Sequence, residues 1–277
     1  MRSDQPHTPH ARDIAGASWD PGQYLKFADH RVRPAVDLMG RIPLADPACI
    51  YDLGCGTGNV TRMLADRWPA ADVVGIDHSP QMLEQARATP SRVRWQHGDL
   101  ADWKPEEAPS LLFSNAVIHW LPDHRSLIGR LWSLLPPGGC LAVQAPMSWE
   151  LPSHRLMRET LADGGAGGSP LGDAELRRAV ASRGLHDPGF YYDLLATDAA
   201  HVDVWTTEYQ HALTGTDAVL EWVAATSLRP ILTGLGDAER ATFLDRYRER
   251  LRSAYPPRPD GITLYPFLRL FFVAVRG

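Results

Sequence analysis

Residues 48–59 read Ala-Cys-Ile-Tyr-Asp-Leu-Gly-Cys-Gly-Thr-Gly-Asn. The run from Cys49 to Leu53 is short, mostly apolar and rich in strand-forming residues, which predicts a buried β-strand. The chain then places glycines at three alternating positions, Gly54, Gly56 and Gly58. Glycines let the backbone turn sharply and approach a ligand with no Cβ in the way. Residues 59–68 have helical character, and the free N–H groups of a helix starting there would face whatever the loop holds.

Two acidic residues flank this loop. Asp52 precedes it, and Asp77 ends the next apolar run about 20 residues after the glycines. A dinucleotide site has the spacing Gly-x-Gly-x-x-Gly, but Asn59 stands where its third glycine would fall. Asp52 would repel a pyrophosphate but can accept hydrogen bonds from an ammonium group, and Asp77 is placed to accept them from both ribose hydroxyls. The combination resembles the S-adenosylmethionine site of class I methyltransferases.

The composition restricts the class of protein. A chain of 277 residues with 44% hydrophobic content can bury a large core, and its formal net charge of −5 and lack of a basic run argue against a nucleic-acid partner. The three cysteines, Cys49, Cys55 and Cys140, are odd in number and lack Cys-x-x-Cys spacing. This argues against disulfides and a metal site and fits a reducing compartment. With no signal-peptide pattern and no apolar run of about 18 residues, we expect a soluble cytoplasmic protein with no membrane partner.

Strands and helices alternate after the glycine loop. Strands are predicted over 72–76, 93–96, 111–114 and 140–146, with helices opened by Ser79-Pro80 and near 124–134. This order predicts a doubly wound, mainly parallel α/β sheet.

The pattern changes beyond residue 145. Helical fragments are broken by a glycine-rich run at 164–168, a predicted flexible loop. They are followed by a half-buried strand, two helices and a last strand, predicted at 202–209, 217–228, 237–254 and 268–275. We therefore expect a Rossmann-like, seven-stranded sheet with a helical lid or cap. The predicted organisation is a flexible tail (1–18) and a single domain (19–277) with cap insertions at about 150–185 and 215–262.

Several side chains follow the predicted strands, where open α/β sheets bind ligands. The resemblance to class I methyltransferases implies that Asp99 meets the adenine amino group and that Leu100 and Asn115 contact the cofactor. His119 follows the fourth strand at the mouth of the same site. Three roles stay open for it: a base, a hydrogen-bond donor to the substrate, or a histidine packed in the core.

The N-terminal part of the chain has one helical pattern. Asp20, Tyr24, Phe27 and Arg31 fall on one face of a predicted helix. This helix either packs its aromatic side chains on the core or forms a lid from which Arg31 or Arg33 reaches an anion.

Stretches along the whole chain resemble the trans-aconitate 2-methyltransferase family. Beside the cofactor loop they include Ala-Asp-His-Arg-Val-Arg-Pro-Ala at 28–35, Trp-Leu-Pro-Asp-His at 120–124, Leu-Ala-Val-Gln at 141–144 and Ala-Thr-Ser-Leu-Arg-Pro at 225–230. The resemblance spans roughly residues 19–275, while the glycine-rich run at 164–168 and the polar N-terminal extension depart from it.

The resemblance implies transfer of a sulfonium methyl group from S-adenosylmethionine to a carboxylate of a small polycarboxylic acid, leaving S-adenosylhomocysteine. A carboxylate is already ionised at neutral pH, so no general base is required. The acid that the family name implies, trans-aconitate, carries three carboxylates, so we expect at least two guanidinium groups in its pocket. The candidates are Arg31, Arg33, Arg229 and Arg269. Tyr24 and His119 are candidates for positioning the substrate, and Trp120 for a wall of its pocket.

Two other functions remain open. A methyltransferase of the same fold acting on a hydroxyl or carbon of a natural product would need a base, which favours His119. A regulatory protein would hold S-adenosylmethionine without turnover. A nicotinamide-dependent oxidoreductase is disfavoured by Asp52 and Asn59. We expect a small-molecule substrate and a monomer or weak homo-oligomer.

Overall fold

The computed structural model describes residues 28–224 and 226–277, with side chains from residue 32 onward. The predicted tail (1–18), the residues Asp20, Tyr24 and Phe27, and the side chain of Arg31 lie outside this part of the chain.

Seven strands of the described residues form one sheet in the order β3-β2-β1-β4-β5-β7-β6. Their bounds are β1 Cys49–Leu53, β2 Asp72–Asp77, β3 Arg94–His97, β4 Leu111–Asn115, β5 Cys140–Pro146, β6 Ala199–Leu213 and β7 Thr263–Arg276. The pairs β1–β2, β1–β4, β2–β3 and β4–β5 are parallel, and β7 runs antiparallel to β5. The predicted doubly wound, mainly parallel sheet is confirmed. Its order reverses between β1 and β4, the place where such sheets bind ligands.

Ten α-helices lie within the described ranges. They are α1 Ala28–Gly40, α2 Asn59–Arg67, α3 Pro80–Ala88, α4 His124–Ser133, α5 Pro152–Asp163, α6 Ala174–Ala181, α7 Pro188–Leu195, α8 Ala218–Ala224, α9 Arg229–Gly234 and α10 Asp237–Ala254. Single 3-10 turns occur at Ile118–Trp120 and Ala166–Gly168. The helix predicted over 217–228 is confirmed at its start, but α8 ends earlier than predicted, at Ala224, and a further helix, α9, begins at Arg229. Pro230, in the first turn of α9, has no N–H to donate and suits a helix start.

The strands bury side chains on both faces of the sheet, as parallel strands do. Leu53, Leu112 and Phe272 belong to one apolar cluster, while Ile50 and Phe113 belong to another that includes residues of α1 and α2. Successive residues of a strand point to opposite faces, which explains this division. The apolar runs that predicted the strands are therefore the core itself.

The chain divides into two compact units. The sheet unit comprises Asp29–Ser148, Gly184–Tyr209 and Phe267–Gly277, and the helical unit contains Trp149–Arg183 and Gln210–Pro266. The latter ranges overlap the predicted cap insertions, whose assignment to a single domain stays a prediction. No helix in the described ranges is both long and apolar enough to cross a membrane.

Inside the helical unit, buried tyrosines surround the start of α5. The Ser153 N–H donates to the Tyr255 hydroxyl at 3.0 Å, and the Tyr247 hydroxyl donates to the Ser153 carbonyl at 3.1 Å. The Ser153 and Tyr265 hydroxyls lie 3.0 Å apart. These bonds join α5, α10 and β7 within this unit.

Candidate functional site

The glycine loop is fastened to the neighbouring strand β2. The N–H groups of Gly54 and Cys55 both donate to the Ile76 carbonyl, each at 2.8 Å, and the Gly58 N–H donates to the Cys55 carbonyl at 3.0 Å. The loop therefore has a fixed path from β1 to α2 before any ligand binds.

The Asp77 carboxylate joins this loop to the helix that follows β2. Its Oδ2 accepts a hydrogen bond from the Gly56 N–H at 2.8 Å, and its Oδ1 accepts one from the Ser79 N–H at 2.9 Å. Ser79 in turn caps α3, because its hydroxyl accepts the Met82 N–H at 3.3 Å. The Asp77 residue is only 8% exposed. A single carboxylate thus fixes both backbone segments around it.

Two glycines of the loop have different requirements. Gly56 and Gly58 both have positive φ, 55° and 77°. A Cβ on Gly58 would lie 2.2 Å from the Trp95 ring, whereas a Cβ on Gly56 would meet nothing within 4 Å. Gly58 is therefore required by protein packing. Gly56 borders open space next to the Asp77 carboxylate, as a loop that cradles a ligand does.

Asp52 is the second acid of the loop and is 2% exposed. Its Oδ2 accepts a hydrogen bond from the Thr61 hydroxyl at 2.6 Å. Burial raises the pKa of Asp52 from 3.8 to about 7, the Thr61 hydrogen bond opposes the rise, and the charge of Asp77 adds to it. Asp52 is therefore only partly ionised at neutral pH, and a nearby cation would favour its carboxylate form.

The other predicted cofactor residues follow β3 and β4. The Gly98 N–H donates to the Asp77 carbonyl at 3.1 Å, and the Asp99 Oδ1 accepts the Ala101 N–H at 2.9 Å. Leu100 is buried, and its carbonyl accepts a hydrogen bond from the Arg130 guanidinium.

Asn115 ends β4. Its Oδ1 is buried and has no hydrogen-bond partner among the described residues. A buried amide oxygen favours a donor, so Asn115 is suited to a ligand that supplies one.

His119 and Trp120 lie in the 3-10 turn after β4, with their rings 4.7 Å apart. Trp120 is 48% exposed, while the Nδ1 of His119 is buried.

His124, which the sequence analysis did not single out, holds this turn in place. Its Nε2 lies 2.9 Å from the Ile118 carbonyl and 3.1 Å from the Leu121 carbonyl, and its Nδ1 lies 2.6 Å from the Tyr191 hydroxyl. Since carbonyls only accept, Nε2 carries the proton. Burial lowers the pKa of His124, which favours the neutral ring. The signal in the sequence was its place in the Trp-Leu-Pro-Asp-His stretch.

Two of the candidate arginines lie near the same tyrosine of the sheet unit. Arg269 is 5% exposed, and its Nη1 donates to the Gln144 Oε1 at 3.4 Å. The Arg33 guanidinium lies 5.1 Å from the Tyr209 ring centre, and its Nε lies 4.0 Å from the Asp37 Oδ2. Burial and the hydrogen bond to Asp37 raise the pKa of Tyr209, and the charges of Arg269 and Arg33 both oppose this rise. The structure therefore brings these two cations to one region.

Arg229 belongs to the helical unit. It begins α9, its N–H donates to the Thr226 carbonyl at 3.3 Å, and its side chain is half-buried. In the same unit, the His154 Nε2 lies 2.9 Å from the Ser227 hydroxyl. Burial lowers the pKa of His154 to about 4, so this ring is neutral.

Comparisons with known proteins identify the family. A family model described as "Methyltransferase domain" matches residues 50–139. Trans-aconitate 2-methyltransferase from Methylobacterium radiotolerans is 49% identical over 93% of this chain and 98% of its own length. The protein of the same name from Methylobacterium nodulans is 50% identical over 94% and 99%.

Among solved structures, a putative methyltransferase from Bacillus halodurans has a TM-score of 0.56 at 13% identity, covering 88% of this chain and 98% of that one, which supports the fold. The resemblance inferred from the motifs is confirmed. With relatives near 50% identity along almost their whole length, the chain belongs to the trans-aconitate 2-methyltransferase family.

Proposed function

We propose that this protein transfers a methyl group from S-adenosylmethionine to a carboxylate oxygen of trans-aconitate and so forms a monomethyl ester. The observation that carries the proposal is the glycine loop, in which Asp77 holds the Gly56 N–H at 2.8 Å next to open space. The chain's relatives named trans-aconitate 2-methyltransferase support the choice of acid.

The residues of the loop fit S-adenosylmethionine, which supplies an electrophilic methyl group on its sulfonium sulfur when bound. Each carboxylate oxygen of Asp77 accepts one backbone N–H, and Oδ2 has a second lone pair available for a ribose hydroxyl, while the His78 Nδ1 lies 3.5 Å from Oδ1. Gly54 and Gly58 hold the turn, while Gly56 lets the cofactor approach the backbone.

The cofactor's ammonium group suits the acidic and amide oxygens at the ends of β1 and β4. Asp52 is buried with a raised pKa, and a bound ammonium would favour its charged form. The buried Oδ1 of Asn115 can accept a hydrogen bond from the same type of group. We assign Asp99 and Leu100 to the adenine end of the site, since their loop is joined to Asp77 through Gly98.

The acceptor needs orientation rather than deprotonation. Its carboxylates are ionised at neutral pH, so His119 and Tyr24 are assigned to positioning and Trp120 to the pocket wall. The cations Arg31, Arg33, Arg229 and Arg269 are proposed to hold the carboxylates that do not react. A strong cation on the reacting oxygen would reduce its nucleophilicity, whereas cations on the other two fix the orientation of the acid.

We also propose a cytoplasmic protein that acts as a monomer or weak homo-oligomer on a small acid, without nucleic acid. Cys49, Cys55 and Cys140 are buried and form no disulfide, which suits a reducing compartment. The net charge of −5 gives no attraction for a polyanion.

The experiment that tests the function is methyl transfer from labelled S-adenosylmethionine to a panel of di- and tricarboxylic acids. We expect label in trans-aconitate above all other acids. Preference for an acid other than trans-aconitate would overturn the substrate assignment, and the absence of transfer to any acid would overturn the function.

A further inference from the structure

We infer that Gln144 binds a carboxylate of the acceptor acid directly and that Arg269 orients its amide for this role. The inference rests on the proposed function and adds to it a residue of β5.

Gln144 lies at the carboxyl end of the sheet, one strand away from the point where the strand order reverses. Its Cα pairs with that of Asn115 on β4 and with that of Phe271 on β7. Arg269 stands two residues from Phe271, so it is a diagonal neighbour of Gln144 on the same face. Parallel sheets bind their ligands outside the carboxyl ends of these strands. Gln144 is a polar residue in an otherwise apolar core strand, and its position suits contact with a ligand.

The contact with Arg269 determines which way the amide faces. A guanidinium has donors only, so the group of Gln144 that lies 3.4 Å from the Arg269 Nη1 is the acceptor Oε1. The Nε2 must then face another direction. This nitrogen is buried and has no hydrogen-bond partner in residues 28–224 and 226–277, and Gln144 itself is 0% exposed. A buried amide donor left unpaired costs free energy, which a ligand acceptor would recover.

The neighbouring groups indicate what kind of ligand supplies this acceptor. Because the Arg269 guanidinium occupies the amide oxygen of Gln144, the groups left to bind a ligand are the amide N–H donors. An ionised carboxylate accepts from these donors without offering a competing donor. Asn115, the register partner of Gln144, instead presents a buried and unpartnered acceptor oxygen within the described residues. The two adjacent strand ends thus favour opposite ligands, an anion at Gln144 and a donor such as the cofactor ammonium at Asn115.

A neutral amide suits the carboxylate that reacts. It fixes the position of that carboxylate by hydrogen bonds but leaves its negative charge, and hence its nucleophilicity, largely intact. A cation in direct contact with the same oxygen would also fix its position, but it would reduce its nucleophilicity.

The test is calorimetric binding of trans-aconitate to the protein saturated with S-adenosylhomocysteine, so that no turnover is needed. Gln144→Met removes the hydrogen bonds at nearly constant volume, and Gln144→Glu adds a negative charge beside Arg269. Gln85→Met and Gln85→Glu make the same chemical changes on the exposed face of α3. We expect Kd for trans-aconitate to rise at least tenfold in Gln144→Met and further in Gln144→Glu. S-adenosylhomocysteine affinity should stay constant in both, and the Gln85 variants should match the wild type.

A Kd for trans-aconitate within twofold of the wild type in Gln144→Met, with normal S-adenosylhomocysteine binding, would overturn the inference. Failure of the proposed function is distinct, since the wild type itself would then neither bind nor methylate trans-aconitate. If the Gln144 variants do not fold, a structure of the wild type with S-adenosylhomocysteine and trans-aconitate decides. We expect the Gln144 Nε2 within hydrogen-bond distance of a carboxylate oxygen, and an Nε2 that contacts only protein or water would overturn the inference.

Discussion

The Asp77 carboxylate accepts the Gly56 N–H at 2.8 Å, linking the end of β2 to the middle of the glycine loop. The two residues are 21 positions apart in the chain. This bond places an acidic group beside a glycine whose Cβ position faces open space, which is the combination a ribose-bearing cofactor needs.

Replacement of Asp77 tests that arrangement. Asp77→Asn should weaken S-adenosylmethionine binding at least tenfold. The amide nitrogen would face the N–H of either Gly56 or Ser79, and one acceptor for a ribose hydroxyl would be lost. Calorimetry measures the change. Asp72→Asn, at the start of the same strand and half-exposed beside Arg94, is the matched control and should bind normally. Equal affinities in the two variants would remove Asp77 from the site.

The two glycines predict opposite outcomes for the same substitution. Gly58→Ala should lower the free energy of unfolding by several kcal/mol, since its Cβ would overlap the Trp95 ring at 2.2 Å and its φ is 77°. Gly56→Ala should cost only about 1–2 kcal/mol, the penalty of a positive φ, yet reduce cofactor affinity at least tenfold. Thermal unfolding and calorimetry on both variants separate these effects. Normal cofactor binding by a folded Gly56→Ala would show that the open space is not used.

Cofactor affinity should depend on pH through Asp52. With a pKa of about 7, Asp52 is about one-tenth ionised at pH 6 and half ionised at pH 7. If the ammonium group binds the ionised form, affinity should rise about fivefold over this interval. Asp52→Asn should abolish the rise, and a wild-type affinity that is flat between pH 6 and 7 would exclude the pairing.

The same pKa shift has a consequence for stability. The pKa of Asp52 is higher in the folded protein than the value of 3.8 expected for an exposed carboxyl, so the folded state binds the extra proton between these values. The stabilising contribution of Asp52 to the free energy of unfolding is therefore present at low pH and is lost as the pH rises from about 4 to 7. Denaturant titrations of the wild type and Asp52→Asn should converge at acid pH and diverge toward pH 8, with the variant then more stable.

His119 separates carboxylate acceptors from those that require a base. His119→Gln should change kcat on trans-aconitate by less than tenfold, because the acceptor is already ionised. A hydroxyl acceptor deprotonated by His119 would instead lose about 10²–10⁴-fold. The exposed His201→Gln on β6 controls for the loss of an imidazole. A loss of 100-fold or more confined to His119→Gln would favour the hydroxyl or carbon acceptor.

Local signals in the sequence were sufficient for most of the fold. The strand, loop and helix at 49–67 follow from apolar spacing and glycines within one short stretch, and the strands at 72–77 and 94–97 match their predictions within one residue. The end of α8 at Ala224 was missed because no glycine or proline between 217 and 229 marks it, and the short helix α9 was not predicted.

Contacts between distant residues could not be predicted from spacing. The Thr61 hydroxyl donates a hydrogen bond to Asp52, nine positions earlier in the chain. The His124 ring and the Tyr191 hydroxyl are hydrogen-bonded although they are 67 positions apart. Gln144 and Arg269 are 125 positions apart. The only local sign of Gln144 was a polar residue in an apolar strand, and its orientation depends on how β7 pairs with β5.

The central claim is ester formation on a carboxylate, and mild alkaline treatment of the methylated product tests it most directly. With S-adenosylmethionine labelled in its methyl group, the wild type should convert trans-aconitate to a labelled product heavier by one methyl group. Alkali should then release the label as methanol and regenerate the acid. Asp77→Asn should form far less of this product at the same cofactor concentration. A methylated product that survives alkali, or none from a wild-type protein that binds S-adenosylmethionine, would contradict the account.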